Sequence, residues 1–383
     1  MTAATFTVEA IDGAARAGTV TTPRGTFSTP CFMPVGTRGA VPHLDSSDLE
    51  ALGAEVVLAN TYHLMLRPGA ETVSRLGGIH GFARWHGHVL TDSGGYQIYS
   101  LDPEVDDDGA SFKSVYDGSA CRLTPEEAVQ LQALIGADMT MVLDVCPSAV
   151  AERPVLAEAV RRTALWARRG RDAFLAHPDA PGRQCQFGIV QGGADTSLRL
   201  ESAHRTLEVG FDGYAVGGLS VGEDRPAMLD ALDACMGPLP ADRPRYFMGL
   251  GDPAGIAESV ARGVDMFDCV LPARLGRHGT VLSDVGRYNL AAARHAESDE
   301  PLDPSFPESP AARWSRGYLR HLLATHEPTA ARLITLHNLA WLLRFMDQVR
   351  AAVRAGTFDD LRAAVALNWQ QRPSLRGRGP SGP

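Results

Sequence analysis

The chain has 383 residues, of which 44% are hydrophobic, and it carries a formal net charge of −9. This composition predicts a large folded core, and the net charge disfavours indiscriminate nucleic-acid binding. The sequence has no apolar run of transmembrane length, and its start, "MTAATFTVEAIDG", has neither the basic residues nor the apolar core of a signal peptide. The cysteines are scattered without a close pair, which predicts a reducing, cytoplasmic environment and no disulfide framework or zinc ribbon.

The charge is unevenly distributed along the chain. Residues 311–383 contain 11 Arg and 4 Asp or Glu, a balance of +7, so the preceding residues carry −16. A basic C-terminal part on an acidic body could orient a polyanion locally. A solvated helical face explains the same pattern, and the sequence leaves both interpretations open.

Short apolar runs bounded by turn residues predict buried parallel strands. Eight of them follow in chain order, at residues 31–36, 55–60, 88–92, 139–144, 186–191, 213–218, 245–249 and 266–270. Helical patterns separate most of these runs. One begins with a Thr124 cap, Pro125 and Glu127, and another begins with an Asp252 cap and stops near Gly263. Repeated strand–helix alternation predicts an α/β protein with an irregular (β/α)8 TIM barrel.

The predicted domain organisation has five parts. Residues 1–30 read as an antiparallel β segment that closes the barrel bottom, and residues 31–290 form the barrel catalytic core. Residues 291–345 form a C-terminal helical subdomain, and 346–372 supply the final barrel helices. The segment 373–383 is predicted to be a disordered tail.

Polar side chains and glycines occupy the predicted C-terminal strand ends. These are Asn60, Asp92, Asp144, Gln191, Gly218, Gly249 and Asp268. Active sites of such barrels lie at this rim, so we expect these groups to share one pocket. Asp268 stands out because its neighbours are apolar, and a buried lone carboxylate is costly unless it is paired or neutralised.

Three glycine doublets also follow strands, at 94–95, 192–193 and 217–218. They indicate either tight turns or a backbone that approaches a flat ligand closely. Asp144 and Gln191 suit the Watson–Crick edge of a purine, and Tyr96 and Met248 could stack on its faces. No metal constellation, phosphate loop or dinucleotide fingerprint is visible in the sequence, so no metal and no cofactor are predicted.

Over nearly its whole length the chain resembles the bacterial tRNA-guanine transglycosylases, or queuine tRNA-ribosyltransferases. The resemblance is carried by "NTYHLMLRPG", "LTDSGGYQIYSL", "FKSVYDGS", "GIVQGG", "GYAVGGLSVGE", "MGLGDP", "ARGVDMFDCVLPAR" and "TLHNL". It implies an irregular (β/α)8 barrel, in agreement with the strand count. It also implies a tRNA partner, in which guanine at the anticodon wobble position is exchanged for a 7-deazaguanine, prequeuosine-1 in bacteria.

The matching motifs imply residue roles. Asp268 would be the nucleophile of a covalent glycosyl–enzyme intermediate and Asp92 the general acid/base, with retention through two displacements. Base-binding residues would be Ser93, Gly94, Gly95, Tyr96, Asp144, Gln191, Gly218, Leu219 and Met248. RNA-binding residues would be Gly249, Leu250, Gly251, Asp252, Pro253, Ala254, Gly255, Ala273, Arg274, Leu275, Gly276 and Arg277, with the two arginines on the anticodon phosphates.

Three further residues bear on the incoming base. Val221 and Cys146 match the bacterial pattern, in which the pocket expects a small 7-substituent and crowds out queuine. Glu223 could support an aminomethyl cation, although a rim glutamate is as often a solvated surface group.

The resemblance also includes a structural zinc subdomain with the pattern Cys-x-Cys-x2-Cys and a later histidine. Here the cysteine positions hold Phe306, Glu308 and Ala311, and His337 remains in "TLHNL". A glutamate and a histidine alone cannot form a tetrahedral structural site, so residues 291–345 read as a degenerate zinc-type subdomain without metal. In the family this subdomain supports tRNA docking and a homodimer.

The lost thiolates need a structural substitute. We expect Phe306, Trp314, Tyr318 and Leu322 to form an apolar stripe against the helix of His337 and Trp341. Three functions stay open: a zinc-independent tRNA-guanine transglycosylase, a paralogue that exchanges a base in another RNA, DNA or a small nucleoside, and a non-catalytic RNA-binding subunit.

Overall fold

The computed structural model describes residues 4–369, so the tail predicted at 373–383 and the end of the segment 346–372 lie outside the described residues. The strands are β1 (Thr5–Asp12), β2 (Ala15–Thr22), β3 (Gly25–Thr29), β4 (Cys31–Pro34), β5 (Val56–Ala59), β6 (His88–Thr91), β7 (Glu104–Val105), β8 (Ala110–Lys113), β9 (Ala120–Leu123), β10 (Met139–Met141), β11 (Cys185–Val190), β12 (Gly213–Val216), β13 (Arg245–Phe247), β14 (Met266–Cys269), β15 (Thr280–Ser283) and β16 (Gly286–Asn289).

The helices are α1 (Ser46–Ala51), α2 (Thr61–Leu66), α3 (Ala70–Arg75), α4 (Gly78–Ala83), α5 (Gly95–Tyr99), α6 (Pro125–Ile135), α7 (Arg153–Ala176), α8 (Ala180–Arg183), α9 (Thr196–Val209), α10 (Arg225–Met236), α11 (Pro253–Val260), α12 (Leu271–Arg277), α13 (Arg316–Ala324), α14 (Pro328–Ala355) and α15 (Phe358–Asn368). A 3₁₀ turn spans Ala293–His295. No helix among residues 4–369 combines the length and the apolar character needed to cross a bilayer.

Within residues 4–369, eight parallel strands form one sheet in the order β4-β14-β13-β12-β11-β10-β6-β5. A parallel bridge between Val35 and Leu58 joins the two ends of this order, and the sheet closes into a barrel. The predicted (β/α)8 fold is confirmed. Each strand ends one to three residues before its predicted end, so Asn60, Asp92, Asp144 and Gln191 lie in the loops of the rim, whereas Asp268 stays within β14.

The antiparallel sheet β1-β2-β3 covers the N-terminal ends of the barrel strands. Arg16 of β2 donates to Asp265, just before β14, with N–O distances of 2.9 and 2.5 Å. Arg24 donates to Asp138, just before β10, at 2.7 Å. The N-terminal segment is antiparallel, as predicted, and these ion pairs hold it against the bottom of the barrel.

The predicted helix caps at Thr124 and Asp252 are present. Thr124 and Glu127 exchange reciprocal bonds of 2.8 and 3.2 Å at the start of α6, and Asp252 accepts from Gly255 N at 2.8 Å at the start of α11. The sequence did not predict the small antiparallel sheet β7-β8-β9, which is inserted between α5 and α6. Its strands are short, so their alternation is too brief to separate from loop.

The predicted apolar stripe in the C-terminal region is wrong in part. Phe306 is buried beside His337, with ring centroids 6.0 Å apart. Trp314, however, precedes α13, and Tyr318 is 45% exposed. Leu322 is buried as predicted, and the second buried residue of α13 is Leu319 instead of Tyr318.

Candidate active site at the C-terminal rim of the barrel

Asp268 is the third residue of the four-residue strand β14 and is only 9% exposed. Its Oδ1 accepts from the Tyr246 hydroxyl at 2.5 Å and from Gly249 N at 2.7 Å. Its other oxygen, Oδ2, has no hydrogen-bond partner among residues 4–369. Burial raises the pKa of Asp268 to about 6, against the lowering effect of these two donors. One oxygen is thus anchored by neutral donors while the other remains free to react.

Asp92 follows β6 and is held on both oxygens. Oδ1 accepts from Thr61 N at 2.8 Å, and Oδ2 accepts from Asn60 Nδ2 at 2.6 Å and Gln97 Nε2 at 2.9 Å. Burial raises the pKa of Asp92 above its ordinary value even though all three donors favour the carboxylate. The buried Gln97 Oε1 has no partner among the described residues, so after rotation of the amide it can accept a hydrogen bond from a protonated Asp92.

Asp144 follows β10 and lies beside Gln191. Asp144 Oδ2 accepts from Gln191 Nε2 at 2.7 Å, and Oδ1 accepts from Ser93 Oγ at 3.1 Å. Burial raises the pKa of Asp144 to about 6. Gln191 Oε1 is buried without a partner within residues 4–369. The pair therefore presents carboxylate and amide oxygens together, a set that suits the N–H edge of a purine.

At two rim positions, any residue larger than glycine would clash with a neighbouring side chain. A Cβ at Gly95 would lie 2.5 Å from Asp144 Oδ1, and a Cβ at Gly218, where φ is +65°, would overlap Gln191 Oε1. These glycines let the backbone pack against the two polar side chains. The close approach seen here is between protein groups, and the predicted approach of the backbone to a flat ligand stays a prediction.

The three rim carboxylates share one electrostatic environment. The charge of Asp92 contributes to the raised pKa of both Asp144 and Asp268. No Lys, Arg or His nitrogen among residues 4–369 lies within ion-pair distance of any of the three. The structure brings together the acids that the sequence placed at separate strand ends.

The residues proposed to stack on the base and close its pocket differ in exposure. Tyr96 is 58% exposed on α5, and Met248 is half-buried with its sulfur near Gly217. Ser93 and Gly94 are buried beside Asp92, and Leu219 is buried after β12. Their roles toward a base stay predictions.

The residues proposed to bind RNA fall into two classes. Arg274 and Arg277 are exposed on α12, and neither forms an ion pair among residues 4–369. Gly249 is exposed, and Asp252, Ala254 and Leu275 are half-buried. The remaining members of the set are buried, namely Leu250, Gly251, Pro253, Gly255, Ala273 and Gly276. The buried residues can shape this surface, but their side chains do not present it.

The region after Leu219 is organised by Glu223. Its carboxylate accepts from Ser220 N and, at 3.1 Å, from Val221 N. Cys146 is buried next to the same region, within reach of Gln191, Gly218 N and Asp144. Cys146 and Val221 therefore lie close to the residues that are proposed to bind the base.

Sequence reasoning did not assign roles to three residues that hold the rim carboxylates. Asn60 and Gln97 bind Asp92, and Tyr246 binds Asp268. The position of Asn60 at a strand end was a usable signal, and so was the spacing of Gln97 on the helix after Asp92. Tyr246 gave no such signal, because an aromatic residue inside an apolar strand is normally core.

The residues at the degenerate zinc position do not fit a metal. His337 Nδ1 lies 2.7 Å from Ser309 Oγ, and Nε2 lies 2.8 Å from the carbonyl oxygen of Leu282. Both ring nitrogens are therefore bound to protein groups, while Phe306 and Ala311 are apolar. Residues 4–369 contain no cluster of three His, Cys, Asp or Glu side chains arranged for a metal ion.

Comparison with known proteins gives a consistent result. A family model described as queuine tRNA-ribosyltransferase matches residues 12–371. A queuine tRNA-ribosyltransferase of Mesorhizobium japonicum is 46% identical over 367 residues, which cover 95% of this chain and 96% of that protein. The protein of the same name from Novosphingobium aromaticivorans is 47% identical over 373 residues, 97% of this chain and 99% of its own length. That from Solidesulfovibrio magneticus is 47% identical over 363 residues, with 94% and 96% coverage.

Proposed function

This chain belongs to the queuine tRNA-ribosyltransferase family, and from that premise we propose that it is a pentosyltransferase of the tRNA-guanine transglycosylase type. It exchanges guanine for prequeuosine-1, a 7-deazaguanine, at the anticodon wobble position of tRNA. The observation that carries the proposal is the free Oδ2 of Asp268 at a rim that also holds Asp92 and the Asp144–Gln191 pair.

The first displacement uses Asp268 and Asp92. Asp268 Oδ2 attacks C1′ of the wobble nucleotide while the C1′–N9 bond breaks, and the bonding pair leaves with guanine. Asp92 supplies the proton that neutralises the departing base. Gln97 supports this role, because its unpartnered Oε1 can accept from a protonated Asp92 after rotation of the amide. The product is a glycosyl ester of Asp268.

The second displacement reverses these roles. Asp92 takes the N9 proton of the incoming 7-deazaguanine, whose N9 attacks C1′ and releases Asp268 as a carboxylate. Two inversions retain the configuration at C1′. Burial raises the pKa of Asp92, which makes its carboxyl a better proton acceptor from the incoming base than an ordinary aspartate.

Base recognition falls to Asp144 and Gln191, with Tyr96 and Met248 stacking on the ring. A ring with a small 7-substituent is favoured, because Cys146 and Val221 lie close to the base-binding residues. The negative charge of Glu223 at the Ser220–Val221 backbone suits an aminomethyl cation at that position.

The partner is tRNA, bound through its anticodon stem-loop. Arg274 and Arg277 support this, since exposed arginines without carboxylate partners suit RNA phosphates. The C-terminal arginines give weaker support, because most of those described pair with acids, as Arg316 does with Glu300 and Arg332 with Asp48. A homodimer is part of the same proposal, and light scattering of the purified protein tests it.

The deciding experiment is base exchange. Radiolabelled guanine or prequeuosine-1 is incubated with the protein and a wobble-guanine tRNA, and incorporation is measured. Incorporation into that tRNA, but not into a tRNA with adenine at the wobble position, is expected. Exchange into DNA or a free nucleoside alone would establish the paralogue instead. Binding of tRNA without any exchange would indicate a non-catalytic subunit.

A salt titration separates an RNA substrate from a small nucleoside. Arg274→Ala and Arg277→Ala should each reduce the slope of log affinity against log salt by about one phosphate contact. Arg332→Ala is the matched control, because its guanidinium is already bound to Asp48 at 2.7 Å. Unchanged affinity and slope in both rim variants would count against RNA as the substrate.

A further inference from the structure

Arg199 is a buried cation without a carboxylate partner. It lies in the first turn of α9, is 0% exposed, and forms no ion pair among residues 4–369. Its guanidinium donates to four backbone carbonyl oxygens: Gly193 at 2.7 Å, Val190 at 3.0 Å, Gly217 at 2.7 Å and Gly218 at 3.0 Å. Burying a charge is expensive, and neutral donors could satisfy the same carbonyls at lower cost. The charge itself therefore calls for a role.

Val190 is the last residue of β11, and the other three carbonyls belong to two loops of the rim. One follows β11 and carries Gln191, and the other follows β12 and carries Gly218 and Leu219. Ser202, also on α9, accepts from Gln191 N at 2.9 Å. Helix α9 thus supports both loops from behind, opposite the side that faces the proposed base.

The bonds from Arg199 act on peptide groups whose N–H groups lie on the opposite side. In a planar trans peptide, the N–H of Gly218 points away from the Gly217 carbonyl, and the N–H of Leu219 points away from the Gly218 carbonyl. A cation bound to the carbonyl polarises the peptide and makes its N–H a stronger donor. Cys146 lies close to Gly218, but neither the Gly218 N–H nor the Leu219 N–H forms a hydrogen bond with a group among residues 4–369.

We propose that Arg199 is a positioning residue that stabilises the negative charge on the departing base through the Gly217–Gly218 and Gly218–Leu219 peptides. The inference rests on the proposed function. When the C1′–N9 bond breaks, the bonding pair moves into the purine, and polarised N–H donors at its edge bind the anion better than the neutral base. This interaction is stronger in the transition state than in the ground state, so it acts on the rate of bond cleavage.

The test compares two leaving groups in single-turnover base release. One RNA carries guanine at the target position, and the other carries 8-azaguanine, a more acidic base that needs less stabilisation as an anion. Arg199→Met and Arg199→Gln remove the charge, and the glutamine keeps hydrogen-bond donors. We expect release of guanine to slow by on the order of 10- to 100-fold and release of 8-azaguanine to slow severalfold less. Arg199→Lys, which keeps the charge, should retain the wild-type ratio between the two bases.

Arg171→Met is the matched control, because Arg171 is also a mostly buried arginine but pairs with Asp212 away from the rim. It should change stability without changing the ratio between the two bases. If release of guanine and release of 8-azaguanine slow equally in Arg199→Met or in Arg199→Gln, Arg199 has only a structural role. A result from one of these two variants is enough to decide between the two roles. Lack of base release by the wild-type protein would instead overturn the proposed function, and this inference with it.

Discussion

The two ends of β14 each carry a buried aspartate, and the two are partnered in opposite ways. Asp265, at the bottom of the barrel, is 0% exposed and bound by the Arg16 guanidinium through both oxygens. Asp268, at the rim, is bound by a tyrosine hydroxyl and a backbone N–H. Burial raises the pKa of both carboxyls, but a cation opposes the rise only at Asp265.

The strand β10 repeats the contrast. Asp138, at its start, pairs with Arg24 at 2.7 Å and with His80 at 3.1 Å, and the pKa of Asp138 is held below its ordinary value by these groups. Asp144, beyond its other end, is bound by Ser93 and Gln191. Acids at the bottom of the barrel are thus paired with cations, and at Asp138 the pairing is strong enough to lower the pKa of the carboxyl. Acids at the rim are held by neutral donors, which leaves their charge available for chemistry.

The largest expected effect is the loss of exchange in Asp268→Asn, by about 10⁴-fold or more, because the nucleophile is gone. The same variant should be more stable than the wild type at pH 8 by up to about 3 kcal/mol, since a carboxyl with a raised pKa near 6 is charged and unfavourable in the folded state above that pH. The gain should vanish near pH 4, where the folded carboxyl is protonated. Exchange assays and denaturant unfolding at both pH values measure this.

For the ion-paired Asp138 at the bottom of the barrel, we expect Asp138→Asn to change stability in the opposite direction. The lowered pKa of Asp138 means that its stabilisation is present above its ordinary pKa and lost as the pH falls. This variant should therefore be less stable at pH 8 by about 2 kcal/mol, with base exchange retained. If Asp268→Asn and Asp138→Asn change stability in the same direction, the contrast between rim and bottom is wrong.

The next effect is on base binding. Asp144→Ala and Gln191→Ala should each weaken guanine binding by roughly 1–3 kcal/mol, because each removes hydrogen bonds to a buried polar edge. Calorimetry with free guanine measures the loss, and tRNA affinity should change far less. Asp138→Asn, on the same strand as Asp144, is the control and should bind guanine normally. Normal guanine binding by both rim variants would remove these residues from base recognition.

The next expected effect, smaller than those of the variants above, is a fall in the exchange rate at acidic pH. The raised pKa values of Asp268 and Asp144, both about 6, mean that each gains a proton as the pH falls through that value. A protonated Asp268 cannot attack, so exchange should fall by about tenfold per pH unit below pH 6. The rate constant for exchange is measured between pH 4.5 and 8. A flat profile down to pH 4.5 would mean that neither carboxyl titrates in this range.

The rim was predictable because its acids interrupt apolar runs. Asp92 and Asp144 follow buried strands and Asp268 lies near the end of one, and the barrel geometry then places them at one edge. The bottom was less predictable, because Asp138 and Asp265 precede strands and their partners Arg16 and Arg24 lie more than a hundred residues away. Long-range ion pairs leave no periodic signal in a sequence.

The sequence also could not predict which segments pack against one another. The spacing of Trp314, Tyr318 and Leu322 fits one helix face, yet the helix begins after Trp314 and turns Leu319 inward. Which face is buried depends on the approach of α14, a tertiary contact. The contacts of Arg199 could not be predicted for the same reason, because its carbonyl partners lie at the ends of two neighbouring strands.

The smallest expected effect is that of a metal chelator, which should not change the stability of the protein. A structural zinc site needs about four nitrogen or sulfur ligands and contributes folding energy outright. At the degenerate site, the ring of His337 uses both nitrogens, one toward Ser309 and one toward the carbonyl of Leu282. Burial lowers the pKa of His337, so the ring stays neutral, with one nitrogen donating and the other accepting. The polar group is fully partnered, like the acids at the bottom of the barrel.

Elemental analysis should therefore find no stoichiometric zinc, and a chelator should leave the melting temperature unchanged. Ser309→Ala should cost about 1 kcal/mol of unfolding free energy, because it removes the hydroxyl that binds a buried ring nitrogen. Ser305→Ala is a matched control, since its hydroxyl bonds to Asp303 and Asp284 in a less buried position. About one zinc per chain, with unfolding on chelation, would show that His337 exchanges its protein partners for metal. The hydrogen bonds of a side chain within the protein would then not indicate whether it is free to bind a ligand.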